Sequence, residues 1–264
     1  MKTSRLKSIV IVILALVNMF LLALLLVQRV QEHAAYERRI DALSALCASS
    51  GIVLDASSLP RERASGAVDL TRDPVSERSL ADALLGSTGS TDSGGGIYRY
   101  YNADGSATFR STGALEATCT RSLNDIDAFC SELFASFGYR ETERSLSDGT
   151  GTVCAVRQVA GADVFNATLT LRFSFGHFCG AEGTFLPAVS AADANGLDAV
   201  SAVVAFLDYR NSTGLLCTEI TGVQGGYLLQ STASAPLRLV GVWRIDTNVA
   251  SYYVNQSTGD VTRV

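Results

Sequence analysis

The stretch SLNDIDAFCSELFASFG, residues 122–138, decides the fold of this chain. Apolar residues recur in it every three or four positions, which predicts an amphipathic helix. We expect Ser122 as the N-cap, with Asp125 three residues further on, and Gly138 at the C-terminal cap. The apolar stripe comprises Leu123, Ile126, Phe129, Cys130, Leu133, Phe134 and Phe137. A stripe this wide packs on a flat surface, and a sheet supplies one.

The residues around this helix predict that sheet. Four strands are expected after it, at residues 139–146, 152–159, 164–175 and 178–186. The third of these alternates apolar and polar residues, which is typical of a half-buried strand. Before the helix, an Asp-Gly turn joins Ile97–Tyr101 to Ser106–Arg110 as a hairpin. Residues 97–187 are therefore predicted to form one α+β module.

A second unit of the same design follows Pro187. Its helix is expected from about Leu197 to Tyr209. Its strands are expected at residues 215–223, 227–230, 237–246, 251–255 and 260–264, with turns at Gln224-Gly225-Gly226 and Ser257-Thr258-Gly259. The sequence thus predicts an α+β fold with two helix-plus-antiparallel-sheet modules, 97–187 and 188–264, at an interval of about 75 residues.

An uncharged apolar run precedes both modules. Ile9–Val27 is long enough to span ~28 Å as a helix, about the thickness of the hydrocarbon core of a bilayer. A cleaved signal peptide and a buried core helix are less consistent with its length and with the bulky residues after it. Lys2, Arg5 and Lys7 favour a cytoplasmic amino end at residues 1–8. We expect a single-pass protein of the cell membrane whose C-terminal domain is extracellular.

Two segments connect the apolar run to the modules. Residues 28–60 predict a juxtamembrane helix followed by a short extended piece. Tyr36, Ile40, Leu43 and Cys47 form a heptad-like seam on that helix, which either pairs with another helix or lies on the protein's own domain. Residues 61–96 are predicted to be a flexible linker, since their tract 86–96 contains no apolar side chain.

Charge and cysteine content limit the partners. Setting aside Lys2, Arg5 and Lys7 leaves 18 of the 21 basic residues against 26 acidic ones, a net charge of −8 that does not suit nucleic acid. The six cysteines are Cys47, Cys119, Cys130, Cys154, Cys179 and Cys217. In an oxidising compartment they allow structural disulfides of unknown pairing; the alternative is small buried hydrophobic residues. No short Cys/His spacing indicates a metal, and no cofactor is expected.

No catalytic constellation stands out. His177 is the only histidine outside the predicted helices, and no nucleophile turn accompanies it. Glu141 and Glu143 alternate on a predicted strand and so share one face. Such carboxylate pairs are common on exposed sheet faces. We therefore expect a protein that is not an enzyme.

A polar residue near the middle of the apolar run indicates a partner. Asn18 is costly to leave unpaired in a membrane, and such amides usually turn toward another helix. Its face of the helix also carries Ile11, Ala15, Leu22 and Leu25. The bland alternative is that one asparagine is tolerated without a partner. We favour a helix–helix contact at this face.

Two parts of the chain resemble the YycI and YycH family of membrane-anchored regulators. The amino end carries Lys7-Ser8-Ile9 and Asn18-Met19-Phe20-Leu21, as in YycI. The carboxyl end carries, in the family's order, Gly226-Tyr227, Val242-Trp243-Arg244-Ile245, Tyr252-Tyr253-Val254-Asn255 and Thr258-Gly259. The family-like residues there are Tyr227, Trp243, Tyr252, Tyr253, Asn255 and Gly259. This end is also similar to PepSY-type modules.

The resemblance implies a function that composition does not. It implies a non-catalytic protein that contacts the sensor histidine kinase of the WalK/WalR (YycG/YycF) two-component system in Gram-positive bacteria and adjusts cell-wall homeostasis. The implied partners are the membrane, the kinase and a paralogous YycH-type regulator. One alternative is a PepSY-like extracytoplasmic module that binds or inhibits a partner. Another is an anchored hydrolase, with its groups gathered around His177 or the cysteines.

Overall fold

The structure is a computed structural model that describes residues 2–61, 66–189, 196–232 and 235–264. Side chains are described for these residues except 2–13, 15, 25–30, 32, 33, 57, 232, 235 and 236. The chain divides into two compact units, Met1–Ser57 and Ser58–Val264. Each unit has its own secondary structure, described in turn.

The first unit is dominated by one long helix. Helix α1 runs from Lys2 to Ser49, followed by the short strand β1 (Val53–Leu54). The chain leaves the helix at Gly51, whose φ of +68° is left-handed. The Ile52 amide then donates to the Cys47 carbonyl at 2.9 Å. Helix α1 thus continues without a break from the apolar run through residues 28–49. Among the residues described, no helix meets the length and apolarity required of a membrane span.

The second unit combines helices with one large mixed sheet, which confirms the α+β class. Its first elements are β2 (Val68–Leu70), α2 (Pro74–Leu85), β3 (Gly89–Gly94), β4 (Ile97–Tyr101), β5 (Gly105–Arg110) and β6 (Ala114–Ser122). Then come α3 (Ile126–Phe137), β7 (Tyr139–Ser147), β8 (Thr150–Val159), β9 (Ala162–Ser174) and β10 (His177–Thr184). The last are α4 (Ala199–Thr213), β11 (Glu219–Thr232), β12 (Ala235–Thr247), β13 (Ser251–Asn255) and β14 (Val261–Arg263).

The helix predicted around residues 122–138 is present but begins later than expected. Asp125 is its N-cap, and the Asp125 carboxylate accepts hydrogen bonds from the amides of Asp127 and Ala128. Ser122 instead ends β6 because its backbone pairs with His177 in the sheet. Gly138 closes the helix at a φ of +64°, as predicted.

Both halves of the second unit contain one helix followed by four strands; the second half has one strand fewer than predicted, because the segments 215–223 and 227–230 belong to the single strand β11. After α3, strands β7, β8, β9 and β10 pair antiparallel in sequence order. After α4, strands β11, β12, β13 and β14 do the same. The two helices begin at Ile126 and Ala199, close to the predicted interval. The two halves are called here the α3 module and the α4 module.

The modules share one sheet. Along the sheet the order is β14, β13, β12, β11, β9, β10, β6, β5, β4 and β3, with β2 on β12 and the β8–β7 hairpin on β9. The join between β11 and β9 is parallel and short, with Gly226 opposite Asp163 and Tyr227 opposite Val164. The turn predicted at residues 224–226 does not exist, because β11 runs through it without interruption.

The structure differs from the flexible linker that was predicted at residues 61–96. Its described part, from residue 66, contains β2, α2 and β3. Helix α2 forms because Asp73 caps it, Pro74 occupies its first turn, and its Leu80 and Leu84 are fully buried. Within the polar tract that follows, Gly89–Gly94 is exposed at every residue, yet it pairs with β4 as strand β3. Lack of apolar residues marked an edge strand, not a flexible segment.

Candidate functional site

At the join between the two modules the strands approach so closely that a side chain does not fit at Gly226. A Cβ atom at Gly226 would lie 2.5 Å from the Asp163 carbonyl oxygen and 2.6 Å from the Phe165 ring. Real Cβ contacts are never that short, so only glycine allows β9 to pair with β11 at this point. Gly226 therefore allows β9 and β11 to approach closely, whereas the sequence predicted a turn at this residue.

A buried carboxylate lies at this join. Asp163 is 5% exposed and accepts hydrogen bonds from three side chains. Arg140 Nη2 donates at 2.5 Å, Gln158 Nε2 at 2.8 Å and Gln224 Nε2 at 3.3 Å. Arg140 and Gln158 belong to the α3 module and Gln224 to the α4 module. The carboxylate thus bonds both modules at once.

The charge of Asp163 is stabilised by these donors. Burial acts to raise the pKa of its carboxyl, but the hydrogen bonds from Arg140, Gln158 and Gln224 and the charge of Arg140 outweigh it, so the pKa is lowered. The same hydrogen bond raises the pKa of Arg140. Sequence analysis did not single out Asp163, since one acid at the start of an alternating strand carries no distinguishing pattern.

Side chains after Asp163 extend the join. The Asn166 side chain pairs with β11 as the backbone of a neighbouring strand does. Its oxygen accepts from the backbone N–H of Leu229 at 2.7 Å, and its nitrogen donates to the Leu229 carbonyl at 2.9 Å. Phe165 stacks on Tyr253 with 5.5 Å between ring centroids, and Arg244 lies over the Phe165 ring. The segment Val164-Phe165-Asn166 therefore binds the α4 module.

The family-like residues of the carboxyl end hold the fold of the α4 module. Tyr227, Trp243 and Tyr252 are each 1% exposed, and Trp243 Nε1 donates to the Leu197 carbonyl at 2.8 Å. The Asn255 side chain accepts from the amides of residues 257 and 258 in the turn before β14, and Gly259 has a φ of +78° there. Tyr253, half-buried, lies against Phe165. These residues form a core and a turn.

The sequence also shows no sign that Arg157 is buried. Arg157 is 7% exposed and donates to the carbonyls of Gly138 and Pro187, at 2.8 and 3.4 Å, while its guanidinium lies over the Tyr139 ring. Burial lowers its pKa. The Gly138 carbonyl lies at the carboxyl end of α3, where a cation is favoured by the helix dipole. Arg157 accordingly anchors that helix to the sheet.

The predicted contact face of α1 is only partly within the described side chains. Asn18 and Leu22 are exposed, whereas the side chains of Ile11, Ala15 and Leu25 lie outside the described residues. Large apolar side chains around them are exposed too, namely Leu14, Leu16, Val17, Met19, Phe20, Leu21 and Leu24. Exposed apolar surface on this scale is typical of surfaces that contact a membrane or another protein.

The same face continues into the carboxyl-terminal part of α1. Residues 18 positions apart on an α-helix differ by about five full turns and point the same way. Asn18 and Tyr36 are such a pair, as are Leu22 and Ile40. The predicted seam is the shielded side of the helix, because Leu43 and Cys47 are each 2% exposed. One line along α1 therefore carries both predicted contact sets.

The residues considered for catalysis lie apart. His177 is exposed beside the β9–β10 turn, with its Nδ1 3.0 Å from the Phe175 carbonyl. Glu141 accepts both of its hydrogen bonds from Arg144, and a bulge at Thr142 separates it from Glu143 in the pairing with β8. Among the described residues, no group of three or more His, Cys, Asp or Glu is placed to hold a metal ion.

All six cysteines are free thiols in the structure. Cys119 and Cys130 lie in the core cluster beneath α2 and α3, and Cys47 and Cys217 are also buried. Cys154 Sγ lies 3.6 Å from Thr170 Oγ1, and Cys179 Sγ lies 3.6 Å from the His177 carbonyl. Burial raises the pKa of Cys130 to about 11, which keeps it protonated and unreactive. The reading as small buried hydrophobic residues fits four of the six.

These features define a class of protein: a long amino-terminal helix and an α+β part whose two helix-plus-four-strand modules share one sheet. No protein-family model matches the chain, and a search of curated proteins found no match.

Two solved structures are similar at low level. The C-terminal domain of YpeB from Bacillus megaterium is 10% identical with a TM-score of 0.37, and the match covers 74% of this chain and 99% of that one. An uncharacterized protein from Eubacterium rectale ATCC 33656 is 10% identical with a TM-score of 0.41, covering 76% and 81%. At these TM-scores and identities, no function can be inferred from either structure.

Proposed function

We propose that this chain is a single-pass membrane protein of the cell surface that regulates a sensor histidine kinase through α1 and its extracytoplasmic α+β part. The proposal rests on one observation above the others. Helix α1 is continuous from Lys2 to Ser49, and Asn18, Leu22, Tyr36 and Ile40 lie along one side of it. A contact made at the apolar run is thereby joined, without a break in the helix, to the part outside the membrane.

The character of that side supports a protein partner within the bilayer. Asn18 is an amide among exposed apolar side chains, and an amide gains more from another helix than from lipid. The kinase class, with a role in cell-wall homeostasis, comes from the resemblance of residues 7–9 and 18–21 to the YycI and YycH family. Binding shifts a kinase between its states only as far as the contacts differ between them.

The test is photo-crosslinking in the native membrane from single positions of α1. A photoreactive residue at Leu22, which is on the Asn18 side, is expected to crosslink to a histidine kinase identified by mass spectrometry. Phe20 supplies the matched control, since it is similarly exposed but lies about 160° around the helix from Leu22. Asn18→Leu is expected to reduce the Leu22 crosslink several-fold.

Two results would contradict the proposal. Equal crosslinking from Leu22 and Phe20 would mean that α1 has no specific side, and a crosslinked partner that is never a kinase would remove the regulatory role. Exchange of residues 9–27 for an unrelated membrane anchor adds a further criterion. Kinase output that is unchanged by this exchange would favour a binding module that needs no specific anchor.

A further inference from the structure

A polar hollow lies on the outer face of the sheet, away from the join of the modules. It is formed by β3, β4, β5 and the turn between β4 and β5, and its volume is about 570 Å³. Ligand pockets commonly enclose about 300–1,000 Å³, so the hollow is large enough for a small molecule. Its lining residues are mainly hydroxylated or charged, which does not suit an apolar ligand.

Strand β4 turns two side chains into the hollow. Its sequence Tyr98-Arg99-Tyr100-Tyr101 alternates, so that Tyr98 and Tyr100 face the core while Arg99 and Tyr101 face outward. Tyr100 is 4% exposed and Tyr101 is 47% exposed. The exposed tyrosine is therefore not an extension of the core.

Tyr101 lies over a glycine in the neighbouring strand. Gly89 pairs with Tyr101 across β3 and β4, and a Cβ atom at Gly89 would lie 3.7 Å from the Tyr101 ring. The ring thus lies against the backbone of Gly89. It is 47% exposed and also lines the hollow, where it provides an aromatic surface held by the sheet.

The end of the hollow is rigid. The Asn102 side chain accepts from the amides of Asp104 and Gly105 at 2.9 and 3.0 Å and donates to the Leu85 carbonyl at 2.8 Å. The Thr120 amide donates to the Asp104 carbonyl at 3.2 Å. The turn is therefore tied to α2 and to β6, so its side chains are set in place before a ligand arrives.

The polar groups around Tyr101 include both donors and acceptors. Arg99 donates to Ser106 Oγ at 3.2 Å and keeps further N–H groups, and Asp104 supplies a carboxylate. Thr91 and Ser93 add hydroxyls from β3. Because the lining contains one cation, Arg99, and one anion, Asp104, the hollow has no net charge with which to select a phosphate or a cation.

We propose that this hollow binds a neutral saccharide. The C–H groups on one side of a sugar ring carry partial positive charge and stack on the negative face of an aromatic ring such as Tyr101. The sugar hydroxyls, each a donor and an acceptor, match the mixture of Arg99, Asp104 and serine or threonine hydroxyls. A neutral polyhydroxylated ligand is the class that uses the aromatic face and both charges together.

The test uses the full chain purified in a detergent without a sugar head group. Binding to an array of immobilised neutral and anionic oligosaccharides identifies a ligand, and calorimetric titration with that oligosaccharide measures its affinity. Tyr101→Ala is expected to weaken binding about tenfold or more, whereas Tyr101→Phe keeps the ring and is expected to bind within about threefold of wild type. Phe175→Ala, which removes an aromatic residue that is 82% exposed elsewhere, is the control and should not change binding.

Three results would overturn the proposal. They are the absence of any saccharide binding, binding confined to anionic oligosaccharides, and binding that Tyr101→Ala leaves intact. Arg99→Ala is the second variant, because it alters the hollow without touching the Gly89 contact and is also expected to weaken binding. Circular dichroism of each variant establishes that it is folded. No kinase is present in this measurement, so its outcome is independent of the proposed function.

Discussion

The α3 module and the α4 module follow one plan but differ in the charged side chains that they bury. Both have an apolar core: Leu169, Leu171 and Phe178 are fully buried in the α3 module, and Tyr227, Trp243 and Tyr252 are the largest such side chains of the α4 module. The α3 module also contains a buried arginine, Arg157, and a buried carboxylate, Asp163, each with hydrogen-bond partners. Among the described residues, the α3 module therefore depends on matched polar partners in addition to apolar packing.

This difference predicts how the free energy of unfolding responds to substitutions in each module. A buried charge that loses its partner retains the cost of desolvation, so a single deletion in a polar network is expensive. An aromatic core loses area and leaves a cavity, and that cost does not depend on pH. Substitutions in the two modules should therefore differ in their pH dependence even where their effects at neutral pH are similar.

The largest effect is expected in the α4 module. Trp243→Ala should lower the free energy of unfolding by about 4 kcal/mol, because it creates a cavity and leaves the Leu197 carbonyl without its donor. Urea denaturation measures the change. Phe175→Ala removes an exposed ring and should change stability by less than about 0.5 kcal/mol. Similar losses in the two variants would contradict the assignment of Trp243 to the core.

Asp163→Ala should cost about 3 kcal/mol. Arg140 is half-exposed and can return to water, so the loss falls at the lower end of that for broken buried ion pairs. Asp69→Ala is the matched control: Asp69 pairs with Arg238 at 3.5 Å, but both side chains are more than half exposed. Its removal should cost less than about 1 kcal/mol. Equal midpoints of urea unfolding for the two variants would show that Asp163 does not join the modules.

Gly226→Ala should cost about 2 kcal/mol. The new methyl group meets the Asp163 carbonyl and the Phe165 ring, so β9 and β11 must separate. Gly222→Ala lies in the same strand, where the nearest atoms are 3.8 Å away, and should be nearly neutral. Hydrogen exchange at residues 163 and 164 reports whether the parallel pairing opens. Protection that stays at the wild-type level would refute the close approach.

The dependence on pH separates the two modules directly. The pKa of Asp163 is lower in the folded protein than in the unfolded chain, where it is about 3.9. Its contribution is therefore complete above that unfolded value and is lost as pH falls through the folded pKa. The stability difference between wild type and Asp163→Ala should be constant from about pH 7 to 5 and shrink below about pH 4. The difference for Trp243→Ala should not follow that curve.

The smallest effect concerns a turn of the α3 module. Phe175 has a φ of +49° between β9 and β10, and side chains other than Asn and Asp adopt that conformation at a cost. Phe175→Asn should stabilise the protein by about 0.5 kcal/mol. Asp148→Asn, in the equivalent turn before β8 with a φ of +50°, should be neutral. A thermal midpoint that falls in Phe175→Asn would mean that the ring contributes to folding.

Much of the architecture could be predicted because it depends on local patterns. The stripe at residues 123–137, the alternation at 164–173 and the turn glycines determine both modules. Two errors have a common cause. The strand β3 has no apolar residue and is placed by pairing with the next strand, β4. Gly225-Gly226 resembles a turn but is placed by pairing with β9, about 60 residues earlier in the sequence. Local propensity does not carry that information.

The polar groups at the join could not be predicted for a similar reason. Asp163 is buried because Arg140 and Gln224, 23 and 61 residues away, meet it in the folded sheet. A paired glycine inside an alternating stretch does signal close backbone approach, and this was the one local sign of the join. The family-like aromatic residues were found in sequence because they are large and few. Their positions in the core explain the pattern without a ligand.

The side of α1 that carries Asn18 has a mechanical consequence. Asn18 and Tyr36 lie about 27 Å apart along the axis at the same angle around it. Rotation of the helix about its axis would swing both residues away from their partners together, whereas a shift along the axis by one turn would exchange their neighbours but keep their direction. A torsional signal and a piston-like signal would therefore leave different crosslinking patterns at these two positions.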